Sequence, residues 1–99
     1  MVKKRFFKTK DECEVTFELA ADEANRAELI CELNDWQPIP MKQARRGPFR
    51  TKLRFPKGGR FEFRYLVDDS RWVNEPEADA YSPNGMGDAN CVLDTAVPA

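Results

Sequence analysis

Period-two alternation of apolar and polar side chains runs through most of this chain, and it restricts the fold more than any other feature. Cys13, Val15, Phe17 and Leu19 share one phase while Glu14, Thr16 and Glu18 share the other. Phe49, Thr51, Leu53 and Phe55 alternate with Arg50, Lys52 and Arg54, and Phe61, Phe63, Tyr65 and Val67 alternate with Glu62, Arg64 and Leu66. Alternation of this kind describes strands buried on one face. No segment carries a sustained helical stripe, and Ala20 to Ala27, the one stretch with helical propensity, lacks an apolar face and reads as a loop.

The segment Ala27 to Leu33 repeats the pattern, with Leu29, Cys31 and Leu33 inward and Glu28 and Glu32 outward. Pro56-Lys57-Gly58-Gly59 is a turn signal and predicts a hairpin between the runs on either side of it. Asp68-Asp69-Ser70 makes the next turn, and Arg71 to Asn74 is a short strand. Glu75 to Asp88 holds Pro76, Pro83, Gly85 and Gly87 and is expected to be a long loop. Asn90 to Asp94 forms a last strand before a frayed tail, Thr95 to Ala99. Counting a first strand in the Lys3, Lys4, Arg5, Lys8, Lys10 region, the expectation is an all-β sandwich of about seven strands in one domain, residues 1–99.

Composition narrows the function classes. With 41% hydrophobic and 33% charged residues, the chain has the make-up of a globular domain rather than a disordered one. A net charge of −1 provides no general basic field, which argues against a nucleic-acid partner, and the N-terminal lysines read as a solvated strand face. No run approaches the roughly 20 apolar residues of a membrane span, and the start of the chain does not resemble a signal peptide. Cys13, Cys31 and Cys91 are odd in number and widely spaced, which argues against a disulfide framework and a metal site, and Cys13 and Cys31 fall on the apolar phase, so buried reduced thiols in a cytoplasmic protein are expected.

Histidine is absent, which removes the usual general base and the commonest metal ligand. The two serines, Ser70 and Ser82, fall in turn-like segments, and the carboxylates are scattered along strand faces. These facts predict a non-catalytic protein with no cofactor.

Trp36 and Trp72 are the only tryptophans, and both sit in or beside turns. Trp36 stands in a loop stiffened by Pro38 and Pro40. Trp72 falls on the outward phase, since Val73 takes the inward place, and Arg64 shares that outward phase. Exposed indoles beside an arginine suit a flat ligand with an apolar face and a hydroxyl-bearing edge, such as a pyranose. The structural alternative is that Trp36 plugs one end of the sandwich and Trp72 covers a sheet edge.

The residues that carry this platform also resemble a known family. Leu29 to Trp36, then Phe61-Glu62-Phe63-Arg64-Tyr65-Leu66-Val67-Asp68-Asp69, then Trp72, then Asn90-Cys91-Val92-Leu93, together resemble carbohydrate-binding module family 48. That family includes the N-terminal domains of isoamylases and glycogen branching enzymes and the glycogen-binding domain of the AMP-activated protein kinase β subunit. The resemblance spans about Cys13 to Asp94. It implies an immunoglobulin-like, early-set sandwich that binds α-1,4-linked glucans such as glycogen or starch.

On that resemblance Trp36 and Trp72 match two stacking tryptophans, Arg64 stands in place of a sugar-contacting lysine, and Asn90 matches an asparagine that bonds sugar hydroxyls. Met86 falls where an apolar loop residue reaches the ligand, and Asp88 where the kinase version has a hydroxyl residue. The family's usual glycine before the tryptophan loop is absent, with Cys31-Glu32-Leu33 in that region. The alternative is a docking domain that pairs with a glycogen-metabolising enzyme or with its own copy through apolar surface near Ile39, Met41 and Leu66.

Overall fold

The structure, a computed structural model, describes residues 1–21, 23–43, 45, 47–85 and 87–98. Among them are ten strands: β1 (Val2–Phe6), β2 (Glu12–Leu19), β3 (Ala27–Cys31), β4 (Ile39–Pro40), β5 (Lys42–Gln43), β6 (Phe49–Pro56), β7 (Arg60–Val67), β8 (Arg71–Val73), β9 (Ala80–Pro83) and β10 (Ala89–Asp94). A single 3-10 turn, Glu32–Asn34, follows β3. No helix among the described residues is long and apolar enough to cross a membrane.

The strands form two antiparallel sheets packed face to face. One has the order β1-β2-β6-β5, and the other the order β4-β3-β7-β10-β9, with β8 also paired to β7. The apolar phases seen in the sequence meet between them. Val15 and Phe17 of β2 and Phe55 of β6 are fully buried against Phe63 and Tyr65 of β7 and Leu93 of β10. Phe17 reaches across the sheets to Phe63, ring centroids 5.1 Å apart and edge-on. Burying one such ring contributes on the order of 1.5–3 kcal/mol, so the alternation itself supplies the cohesion of the sandwich. Cys13, Cys31 and Cys91 are all buried in this core.

The tail expected to fray from Thr95 instead keeps Thr95 fully buried, its hydroxyl donating to the Pro56 carbonyl at 2.7 Å and its N–H to the Gly59 carbonyl at 2.9 Å. Four further expectations are corrected. First, β6 and β7 do not form a hairpin. β6 pairs with β2 and β5, whereas β7 pairs with β3, β8 and β10. The segment Lys57–Gly59 is instead an arch from one sheet to the other. The Lys57 N–H donates to the Asp11 carbonyl at 3.2 Å and the Gly58 N–H to the Thr95 carbonyl at 2.9 Å, so its backbone groups are satisfied by other segments, not by a hairpin ladder.

Second, the expected loop 75–88 contains β9, which pairs with β10 from Ala80↔Val92 to Pro83↔Ala89. Proline is tolerated there because β9 is an edge strand, where a missing N–H costs no ladder bond on the open side. Third, the strand expected over Ala27 to Leu33 stops at Cys31, and Leu33 lies in the 3-10 turn. Fourth, Met41 is buried in the core and its N–H donates to the Ala27 carbonyl at 2.9 Å, while Ile39 and Leu66 are partly buried. Met41 therefore adds no exposed apolar surface to the neighbourhood of Ile39 and Leu66.

One buried carboxylate ties the second sheet together. Glu75 is fully buried; its Oε1 accepts from the Tyr65 hydroxyl at 2.9 Å and from the Met1 ammonium at 2.6 Å, and its Oε2 accepts from the Glu77 N–H at 2.9 Å. Its backbone N–H donates to Cys91 Sγ at 3.1 Å, and the Tyr81 hydroxyl donates to its carbonyl. A buried carboxylate is tolerated only with such a set of partners.

Candidate functional site

The outward face of β3, β7 and β10 is where the two tryptophans arrive, by different routes. After the 3-10 turn, Asp35 and Trp36 both adopt left-handed backbone, φ 60° and φ 64°. The turn is closed by the Asp35 N–H donating to the Glu32 carbonyl at 3.2 Å and the Trp36 N–H to the Cys31 carbonyl at 3.0 Å. A bulky residue with positive φ is an outlier costing on the order of 1–3 kcal/mol. The strain is spent to turn the Trp36 side chain out of the core, where it stands 41% exposed.

Trp72 comes from the β7–β8 connection. Asp68 and Asp69 both have positive φ, 51° and 60°, and the Ser70 N–H donates to the Val67 carbonyl at 3.2 Å, which is a type I′ turn. The Asp68 carboxylate accepts from the backbone N–H groups of Asn25 and Arg26 at 2.9 and 3.0 Å, anchoring the turn. The register Leu66↔Trp72 then puts Trp72 on the outer face, 49% exposed.

Between the tryptophans lies Arg64, at a seam in the sheet. On one side β7 pairs continuously with β3; on the other it pairs with β10 up to Phe63 and with β8 from Tyr65. Arg64 occupies the junction. Its Nε donates to Asn74 Oδ1 at 3.0 Å, and Asn74 Nδ2 donates across the junction to the Ala89 carbonyl at 3.1 Å. A guanidinium NH2 group bonds Asp88 Oδ2 at 2.7 Å, and the guanidinium carbon lies 5.2 Å from the Trp72 ring centroid. These contacts leave the Arg64 side chain largely buried and fix its direction. The Asp88 carboxyl is held below its ordinary pKa of 3.8, chiefly by the Ala89 N–H and then by Arg64.

Ile30, Trp36, Arg64, Trp72, Asn84, Asp88 and Asn90 line one open depression of about 480 Å³. A larger depression of about 670 Å³ around Met1, Glu18 and Pro76 has no aromatic residue among the described residues of its lining, so size does not single out a site. The pairing of two exposed indoles with fixed polar groups does. Asn90 donates through Nδ2 to Glu62 Oε1 at 3.0 Å, which leaves its carbonyl oxygen able to accept. Among the described residues no group of three or more His, Cys, Asp or Glu could hold a metal ion.

Of the five residues singled out from sequence, four line this depression: Trp36, Arg64, Trp72 and Asn90. The fifth, Met86, lies outside the described residues. Sequence reasoning missed Asn74, which aims Arg64, and Ile30 and Asn84 in the lining. Ile30 did leave a trace, being the apolar residue on the outward phase between Glu28 and Glu32.

No protein-family model matches the chain, and no curated protein matches it significantly.

Proposed function

We propose that this chain is a non-catalytic α-1,4-glucan-binding module of the family 48 kind, with the immunoglobulin-like, early-set form of sandwich. The observation that carries the reading is the meeting of two half-exposed indoles with Arg64 and Asn90 around one open depression. Stacking supplies affinity: about 100 Å² covered on each indole gives ~2.5 kcal/mol per ring. Association costs of at least ~4 kcal/mol offset most of that, so hydroxyl contacts to Arg64 and Asn90 decide whether binding is measurable. Trp36 and Trp72 receive the faces of glucose units, while the remaining N–H groups of Arg64 and the Asn90 carbonyl meet their edges.

The test is a titration of maltoheptaose followed by tryptophan fluorescence. A saturable change with a dissociation constant of about 1 mM or tighter is expected. A flat signal up to about 10 mM sugar, with calorimetry equally silent, overturns the reading.

A further inference from the structure

Resting on the glucan reading, we propose that Asp88 is a specificity-determining residue that restricts the depression to uncharged sugars by occupying Arg64.

A guanidinium beside an aromatic face is by itself a receptor for carboxylates and phosphates, because its N–H groups form a fork matched to both. Arg64 is the one cation among the described residues lining the depression. An anionic sugar would therefore be expected to bind there if Arg64 were free. It is not free. Asp88 Oδ2 sits 2.7 Å from one terminal nitrogen, and Asn74 Oδ1 accepts from Nε at 3.0 Å. Three of the five guanidinium N–H groups remain, enough for hydroxyls, but the charge is already matched.

A second carboxylate adds to the effect. Glu62 Oε1 accepts from Asn90 Nδ2 at 3.0 Å, which places a further negative charge directly behind a residue of the lining, beside the Arg64–Asp88 pair. Asp88 is itself fixed: its Oδ1 accepts from the Ala89 N–H at 2.8 Å while Oδ2 holds Arg64. The carboxylate is thus aimed by the first residue of β10, and its lowered pKa is consistent with a pair that stays ionised at neutral pH. Neutral polyols meet donors and acceptors here; uronates and sugar phosphates meet net negative charge.

The experiment compares two rings of like size, hydroxypropyl-β-cyclodextrin (neutral) and carboxymethyl-β-cyclodextrin (anionic), on the full chain and on Asp88→Asn. The wild-type protein is expected to bind the neutral ring about tenfold or more tightly than the anionic one at low salt. Asp88→Asn is expected to narrow that ratio to within about threefold, through tighter binding of the anionic ring. An unchanged ratio in a folded variant overturns the proposal while leaving the glucan reading intact. Failure of both rings and of maltoheptaose on the wild-type chain removes the glucan reading and the proposal with it. Should the variant not fold, the wild type decides alone: its affinity for the anionic ring must rise as salt goes from about 0.01 to 0.5 M, as screening removes repulsion, and a fall with salt refutes the assignment.

Discussion

Replacing Trp72 by alanine separates recognition from folding, because the ring is divided between the two. A tryptophan presents about 250 Å² at most. With 49% of Trp72 exposed, roughly 120 Å² faces solvent, and a stacked sugar would cover about 100 Å² of it. At about 25 cal/mol/Å² that is ~2.5 kcal/mol, or a loss of roughly 60-fold in affinity for maltoheptaose. The other half of the ring packs on the sheet and under the Arg64 guanidinium. Truncating a fully buried tryptophan costs about 3–5 kcal/mol, so about half of that, ~2 kcal/mol, is expected here. A domain of this size has about 5–15 kcal/mol in hand and loses roughly 4–8 °C of Tm per kcal/mol. Trp72→Ala should therefore melt roughly 10 °C lower and still be folded at 25 °C. Calorimetric titration with maltoheptaose, beside a circular-dichroism melt, measures both. A folded variant whose affinity stays within about threefold of wild type refutes the stacking role, since no reapportioning of a half-exposed ring would hide ~2.5 kcal/mol.

Two further outcomes follow from other parts of the molecule. Asp68→Ala removes the acceptor for the Asn25 and Arg26 N–H groups and places a β-carbon residue without polar side chain at φ 51°, so urea unfolding should show a loss of about 1–3 kcal/mol; a change under about 0.5 kcal/mol would mean the carboxylate does not anchor the turn. Burial, reinforced by the Glu75 carboxylate, pushes the Tyr65 hydroxyl above the ordinary 10.0. The folded state thus holds that proton more tightly. Its contribution is complete below about pH 10 and is lost above it, at ~1.4 kcal/mol per pH unit. Stability measured from pH 9 to pH 11 should fall more steeply for wild type than for Tyr65→Phe, and equal slopes would contradict the assignment.

What the sequence disclosed and what it withheld divide along a physical line. Alternation reports which side chains share a face, and Phe17, Phe63, Tyr65 and Leu93 meet in the core as that rule requires. It does not report which ladder a strand joins. Pro56-Lys57-Gly58-Gly59 has the composition of a hairpin turn, yet the partners that decide its course, Asp11 and Thr95, are remote in sequence. The β9 strand was hidden for a similar reason: Pro83 ends it, and only its place at an edge makes that harmless. Trp36, Arg64, Trp72 and Asn90 could be picked out because residue type and strand phase point to them. Asn74 could not, since its part arises at the seam where β7 changes neighbour.

Trp72 and Asn90 are carried by strands that never pair with each other, so the breadth of the gap they flank is governed by how β8 and β10 are spaced along β7. The spacer between those strands is pinned from the core side by Glu75, through Tyr65 on β7 and the Cys91 sulfur on β10. The Glu75 carboxylate holds Tyr65 while the Glu75 backbone N–H holds the Cys91 sulfur, so a fully buried residue acts as the gauge block of the surface above it, and tuning the width of that surface means altering the interior.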